Sequence, residues 1–457
     1  MDAKKVKTIF RAYDVRGVYP EEINEEVCYK TGMAVANFLN AKKMTVGYDY
    51  RLSSESLAKA LIDGICDAGC DAIDIGHVPT PVLYFSICRL NVDGGIMITA
   101  SHNPPEYNGM KIQKENAMPI FSENGLFEIR DMVLSGDLKK SGEKGNVEKV
   151  NVMDDYINEV VSRVKIERPL KILIDTGNGA CFDIPERIFK ALGCEAKTIF
   201  KEPDGHFPNH IADPLKTETL ETLKNKVVEE GFDIGLAFDG DGDRLGIVDS
   251  RGKILTQDEM LMMFTKQALE TKKGYVIYEV RVSNAVIEYA KKLGGKVKIS
   301  KVGHTYIVEE IKKLNAVFGG ELSGHTYFPY CYYPFDDGIF AAAKAVEFAS
   351  KNDLPKFVDS LPKTYATPEI HIKVNDNVKF ALIEKVKEML INDGFNVNDI
   401  DGVRVDFEDG WFLIRASNTE PMIKCRVEGK SQEDLENIKS LLMEYLGKAG
   451  ILKDEEE

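Results

Sequence analysis

A chain of 457 residues is too long for one ordinary hydrophobic core, so roughly two to four domains are expected. Apolar residues make up 44% and charged residues 29%, the balance of a soluble globular protein. The formal charge of -15, with no basic run, argues against a nucleic-acid partner, and no apolar stretch approaches the ~20 residues needed to cross a bilayer.

Along the chain, one pattern is written three times. Its first copy is a strand at Met44–Tyr48, a helix from Ser54 and the segment AGCDAIDIG. The second is a strand at Leu170–Asp175, a helix through Ile184–Leu192 and LGCEAKTIF. The third is a strand at Tyr275–Glu279, a helix through Asn284–Leu293 and LGGKVKISKVG. Each is a βαβ unit with a glycine closing its helix, and the spacing is that of whole domains. The last stretch reads differently: strand Glu369–Val374, helix Phe380–Asp393, strands around Val403–Phe407 and Trp411–Ile414, another strand, then helix Gln432–Leu446. The fold class expected is α/β, with three similar α/β domains and a smaller C-terminal α+β domain. Boundaries fall in Lys139–Val150, Ser250–Lys253 and Lys363–Pro368, which gives domains at 1–150, 151–252, 253–368 and 369–457.

The eight cysteines, at 28, 66, 70, 88, 181, 194, 331 and 425, show no CxxC spacing. They are read as reduced, mostly buried thiols of a cytoplasmic protein. The segment MDAKKVKTIFRAYD carries no apolar signal core, and KDEEE reads as a solvated tail.

Four loops carry chemistry. In GIMITASHNPPEYNGMK a buried strand, Ile96–Thr99, runs into Ser101, His102 and two prolines that force an exposed turn. A serine at the C-terminal end of such a strand is placed as a nucleophile or phosphoryl carrier, with His102 and Lys111 supplying charge; the alternative is an ordinary Asn-Pro turn. In FDIGLAFDGDGDRLGIVD the strand Ile234–Phe238 delivers Asp239, Asp241 and Asp243, spaced by glycines that let the carboxylates converge. Three hard oxygen donors suit Mg²⁺ or Ca²⁺, and they repel one another without a cation. The calcium-loop pattern fails, because Arg244 and Ser250 stand where it needs Gly and Glu. Arg244 instead puts a cation beside the metal, which suits a phosphoryl group.

In FGGELSGH, glycines bracket Glu321 and Ser323 and His325 follows; these groups bind sugar hydroxyls and move a proton, and a plain Gly-rich loop is the alternative. In WFLIRASNTEP, the Arg415, Ser417, Asn418 and Thr419 side chains make a phosphate nest or a polar hairpin turn. FRAYDVRG adds Tyr13 and Arg16, and KVGHT places His304 on a loop at the end of the third βαβ copy.

Taken together, these loops resemble the α-D-phosphohexomutase superfamily. TASHNP, DGDGDR, GELSG and RASNTEP occur in that superfamily's order and spacing, over nearly the whole chain. FRAYDVRGV, HNPPEYNGMKI, GELSGH and PFDDGIFAA make the chain most similar to its phosphomannomutase/phosphoglucomutase group. The resemblance implies four domains, the first three with mixed sheets, around one central cleft, and a mutase that moves phosphate between the 1- and 6-positions of mannose or glucose phosphates, with Mg²⁺ as cofactor and hexose 1,6-bisphosphate as intermediate and activator. It implies a phosphoserine at Ser101, with Mg²⁺ held by Asp239, Asp241, Asp243 and a phosphoseryl oxygen. Glu321 and Ser323 then select hydroxyls, and Arg415, Ser417, Asn418 and Thr419 grip the phosphate that stays put. Tyr13, Arg16, Lys111, Arg244, His304 and His325 match further active-site positions, with His325 as the acid/base, Lys111 and Arg16 assisting, and His102 positioning the Ser101 loop. Arg281 stands where that group usually has Lys, which keeps the charge and changes its geometry. Phosphoglucosamine mutase is the alternative within the superfamily, although Leu322 stands where that group usually has Gln. A non-catalytic metal-binding protein and a hydrolytic phosphatase are alternatives of other classes. The partners implied are hexose phosphates, with no nucleic acid or membrane, and the chain works as a monomer or small homo-oligomer.

Overall fold

The computed structural model describes residues 2–417 and 420–452. Among these residues the chain folds into four sheets of seven, four, four and six strands, with helices packed against them. The architecture is α/β, with a smaller C-terminal domain.

In the first sheet, parallel strands Lys43–Tyr48, Asp71–His77 and Gly94–Ile98 form the centre. Val147–Lys149, from the charged segment expected as a linker, pairs along Asp71–His77. Strand Tyr107–Lys114 turns back antiparallel on Gly94–Ile98, and Val15–Val18 pairs beyond it. In the second sheet Lys171–Asp175 lies parallel to Glu195–Ile199 and to Ile234–Phe238, and Leu245–Asp249 closes the edge antiparallel. The third sheet repeats this plan, with Tyr275–Glu279 parallel to Lys296–Ser300 and to Phe318–Gly320, and Thr326–Tyr327 antiparallel at the edge. The central strands are near-continuous apolar runs because helices cover both faces. Ile234–Phe238 is buried at every position.

The three repeated glycines behave alike. Gly69, Gly193 and Gly294 have φ of 85°, 82° and 80°, the left-handed turn that ends each crossover helix. Long helices Gln257–Thr271 and Gly338–Lys351, which the sequence reading left unassigned, pack in the same apolar core.

That core is continuous through the second and third sheets and reaches one face of the first. The opposite face of the first sheet has its own cluster. The fourth domain is separate. Its antiparallel sheet, built on Trp411-containing strand Gly410–Ala416 and strand Met422–Gly429, encloses a private core with helices Lys379–Asn392 and Gln432–Ala449. A small cluster of Val280, Val302, Trp411 and Leu413 joins it to the third domain.

One placement is corrected. His304 is the first residue of helix His304–Leu314, and does not sit within a loop. Gly303 makes the turn with φ of 134°, and a side chain there would collide with the Tyr13 ring at 2.8 Å.

Candidate active site

Each chemical motif is a β-hairpin turn. Residues 99–106 link Gly94–Ile98 to Tyr107–Lys114, and 239–244 link Ile234–Phe238 to Leu245–Asp249. Residues 321–325 link Phe318–Gly320 to Thr326–Tyr327, and the turn after Ala416 leads into Met422–Gly429. A hairpin turn at the C-terminal end of a central strand can project polar side chains without breaking the apolar layer beneath.

The four turns face a cavity of about 960 Å³. Tyr13, Arg16, Ser101, His102, Lys111, Arg244, Arg281, His304, Glu321, Ser323, His325, Arg415 and Ser417 line it. Asp239, Asp241 and Asp243 are fully buried below its floor. Asn418 and Thr419 lie outside the described residues.

Ser101 has left-handed φ of 49° and is 1% exposed. Its Oγ donates to Asp239 Oδ2 at 2.6 Å and lies 3.1 Å from His102 Nδ1. The two turns touch backbone to backbone, since a Cβ on Gly240 would sit 2.4 Å from the Ser101 carbonyl oxygen. Lys111 Nζ donates to Asp241 Oδ2 at 2.7 Å and also pairs with Asp243. Thr80 Oγ1 donates to the same Asp241 oxygen at 2.6 Å.

Burial, then the charges of Asp243 and Asp241, push the Asp239 carboxyl well above the ordinary carboxylate value. Burial also raises Asp243, but Lys111, then His325 and Arg244, outweigh it and hold that carboxyl at about 2. Asp241 Oδ1 and Asp243 Oδ1 are buried without a hydrogen-bond partner. The three carboxylates each offer an oxygen within 4.8 Å of the others. Orphaned buried carboxylate oxygens are costly, so this set fits a hard cation with oxygen preference.

His325 hangs above the floor. Its Nδ1 is 2.7 Å from Asp336 Oδ2, and its Nε2 accepts from Arg244 Nε at 3.2 Å. Burial lowers its pKa, but the neighbouring Asp243 and Asp336 carboxylates raise it on balance. His304, 5.7 Å from it ring to ring, is instead driven down to about 4, chiefly by burial. Glu321 accepts from Tyr327 Oη at 3.0 Å and from Ser323 Oγ at 3.2 Å. Tyr13 Oη donates to the Val302 carbonyl at 2.7 Å, and Arg16 donates to Asn103 Oδ1 at 2.7 Å.

The far wall is cationic and internally balanced. Arg415 Nε donates to Asp401 Oδ2 at 3.2 Å. Lys379, a buried ammonium, donates to the Ser417 carbonyl at 2.5 Å and the Glu420 carbonyl at 3.0 Å, and so ties Ser417 to Glu420 across the turn that follows Ala416. Arg281 donates to Glu279 Oε1 at 2.9 Å and Glu369 Oε1 at 3.3 Å. Glu279 Oε1 also accepts the Leu322 backbone N–H at 3.2 Å, so Arg281 is linked to the Glu321 turn. Burial pushes Glu369 up, but Arg281, then Lys424, outweigh it and hold it at about 2.

The sequence reading missed several of these residues. Glu369 and Lys379 act through partners far along the chain and have no local signature, Glu279 pairs with Arg281 two residues on, and Asp336 lies in the PFDDGIFAA segment and pairs with His325. Arg11, which also lines the cavity, had a signal in its neighbours Tyr13 and Arg16 within FRAYDVRG.

Family models for phosphoglucomutase/phosphomannomutase match this chain in four pieces. Alpha/beta/alpha domains I, II and III match residues 7–140, 154–252 and 256–365, and the C-terminal domain matches 369–444. The chain belongs to the phosphoglucomutase/phosphomannomutase family. It is therefore an enzyme of the phosphohexomutase class, an isomerase. A phosphomannomutase/phosphoglucomutase of Pseudomonas syringae pv. tomato is 39% identical over 447 residues, covering 96% of this chain and 95% of that one. A phosphoglucomutase of Neisseria meningitidis serogroup A is 35% identical, covering 96% of each. Among solved structures, a phosphoglucomutase/phosphomannomutase family protein from Burkholderia thailandensis superposes with a TM-score of 0.91 at 35% identity, covering 97% of this chain and 98% of that one. Each family domain carries one turn: Ser101 in the first, the aspartates in the second, Glu321 in the third and Arg415 in the fourth. No helix among the described residues is long and apolar enough to cross a membrane.

Proposed function

We propose that this chain interconverts hexose 1-phosphate and hexose 6-phosphate, mannose and/or glucose, through a phosphoserine at Ser101 and a hexose 1,6-bisphosphate. The supporting observation is the Ser101 hydroxyl, 2.6 Å from a buried carboxylate cluster, on the floor of a cavity whose far wall is cationic. The phosphoenzyme's Oγ–P bond breaks as the free sugar hydroxyl forms its new O–P bond. His325 takes the proton leaving that hydroxyl, with Lys111 and Arg16 near the reacting oxygens. Arg244 neutralises charge on the moving phosphoryl group. After the bisphosphate turns over, Ser101 takes the other phosphoryl group and the proton returns to the sugar oxygen left behind. Tyr13, Arg281, His304, Glu321 and Ser323 orient the sugar, and His102 steadies Ser101.

Asp239, Asp241 and Asp243, with a phosphoseryl oxygen, would hold Mg²⁺. When bound, the ion offsets charge on the transferring group. Arg415, Ser417, Asn418 and Thr419 grip the other phosphate. They read phosphate and not sugar, as a substrate that binds in two orientations requires. We place the domains at 1–150, 151–252, 253–368 and 369–457. The site belongs to a cytoplasmic monomer or small homo-oligomer, and the absence of disulfides among the described cysteines agrees with a reducing compartment.

A coupled assay tests the reading, with Mg²⁺, a trace of hexose 1,6-bisphosphate, and mannose, glucose and glucosamine 1-phosphates in parallel. Conversion of the first two, with glucosamine slow, is expected. Preference for glucosamine 1-phosphate would move the chain to the alternative sugar. Wild-type-like turnover by Ser101→Ala, with contaminating enzyme excluded, would sink the mechanism.

A further inference from the structure

The Ser101 turn is poorly able to hold itself. Two prolines remove backbone donors, Ser101 sits in the left-handed region, and past the Thr99 N–H bond to the Gly109 carbonyl the turn's own backbone supplies the Asn103 N–H bond to the Ala100 carbonyl and the Tyr107 N–H bond to the Pro104 carbonyl. Four of its carbonyl oxygens, counting that of Tyr107 just past it, are met by one side chain from the turn that follows strand Lys43–Tyr48, while the Ala100 carbonyl accepts from Arg16 Nη1 at 3.3 Å. Arg51 Nη1 donates to the Pro104 carbonyl at 2.6 Å and the Tyr107 carbonyl at 3.0 Å. Arg51 Nη2 donates to the Ser101 carbonyl at 2.8 Å and the Asn103 carbonyl at 2.6 Å.

The guanidinium is itself fixed. Its side chain is 1% exposed, its Nε lies 3.3 Å from Asp49 Oδ2, and the Phe207 ring covers it at 5.1 Å from the centroid. Phe207 comes from the second domain, on a segment whose Gly205 lies against the Tyr50 carbonyl, where a Cβ would approach to 2.7 Å. Arg51 therefore joins three things: the turn that carries Ser101, its own counter-charge and the neighbouring domain.

We propose that Arg51 is a positioning residue for Ser101, a planar fork that casts the turn into the shape phosphoryl transfer requires, with Phe207 holding the fork in place. The inference rests on the reading of Ser101 as the phosphoryl carrier. Arg51 touches no part of the cavity, so it acts only through the turn. A fork of donors in one plane can serve four carbonyls in fixed directions, and a lysine ammonium cannot. Displacement of a reacting atom by about 1 Å costs on the order of a hundredfold in rate.

The test compares wild type, Arg51→Lys, Arg51→Ala and Phe207→Ala in the coupled assay. Phosphate on Ser101 is measured by intact mass, and folding by circular dichroism. In Arg51→Lys, kcat should fall by about a hundredfold. KM should stay within about threefold, because, Tyr13 apart, the groups that grip the sugar and the resting phosphate are in other domains. Phe207→Ala should lower kcat by about fivefold with KM held. Added methylguanidinium should restore part of the Arg51→Ala turnover, and methylammonium should not. Arg51→Lys or Phe207→Ala with wild-type kcat, or with its loss confined to KM, would overturn the proposal while leaving Ser101 as carrier. Absence of turnover and of phosphoserine in the wild type would remove the Ser101 reading, and this proposal with it.

Discussion

The Lys111 ammonium sits 2.7 Å from Asp241 Oδ2, inside the carboxylate cluster that closes around Ser101. Both side chains are buried, so each depends on the other for its charge. Lys111→Met removes the cation and leaves three carboxylates together. Breaking a buried pair in this way costs about 3–5 kcal/mol. The variant's urea stability should fall by that order in EDTA and recover substantially in excess Mg²⁺, while wild type depends less on the ion. Equal sensitivity of the two proteins to EDTA would show that Lys111 does not share the cluster's charge balance.

Arg281 holds Glu279 and Glu369 at once, one on its own domain and one on the fourth. Arg281→Lys leaves a single ammonium to serve two carboxylates, so a negative charge is left facing the phosphate wall. The expected result is a KM for hexose phosphate raised about five- to tenfold, or ~1 kcal/mol, with kcat changed less. Steady-state kinetics on either sugar decides it, and an unchanged KM would remove Arg281 from substrate binding.

Gly240 has no room for a side chain, because a Cβ there would stand 2.4 Å from the Ser101 carbonyl oxygen. Gly240→Ala must part the serine turn from the metal turn. Overpacking of this kind costs about 1–3 kcal/mol in stability. If Ser101 is the phosphoryl carrier as proposed, turnover should suffer more, by about a hundredfold, because Ser101 moves relative to the aspartates. Stability by urea titration and kcat from the coupled assay, read together, separate the two effects.

Asp337 caps helix Gly338–Lys351, accepting from Phe340 N at 2.7 Å and from Tyr156 Oη at 2.9 Å. Burial nevertheless pushes its carboxyl up to about 7. A carboxyl raised on folding favours the folded state below its unfolded value near 3.9, and that contribution is lost as pH rises through about 7. Asp337→Asn should therefore gain on wild type between pH 4 and pH 8 by roughly 2–4 kcal/mol. Urea titrations at several pH values measure the difference, and a pH-independent offset would show that the carboxyl titrates normally.

The four turns were legible because each places chemistry-bearing residues where a buried strand stops. The DGDGDR segment announces itself by composition, while TASHNPP taken alone reads equally well as an ordinary Asn-Pro turn. Their convergence was not legible from the residues by themselves. It depends on hairpins from separate sheets meeting in space, and only the order and spacing of the motifs suggested it. Arg51, Glu279 and Lys379 were invisible for a related reason. An arginine after a strand or a lysine in a helix looks like solvated surface until its distant carbonyl or carboxylate partners are known. His304 misled in the opposite direction, since KVGHT reads as loop while a helix begins at His304, just after the Gly303 turn.

The division of the apolar core has one further consequence. The serine turn, the aspartates and the Glu321 turn stand on layers that share packing, while the phosphate turn stands on a core of its own. The fourth domain is seated on the third by the small Val280, Val302, Trp411 and Leu413 joint together with polar ties such as Arg281 to Glu369 and Arg404 to the Val280 carbonyl, and on the proposed reading this seating sets the span between the two phosphate positions of a bisphosphate. Substitutions that soften that joint would alter how long a bisphosphate is retained between its two phosphoryl transfers, and so the share of intermediate that escapes before turnover is complete.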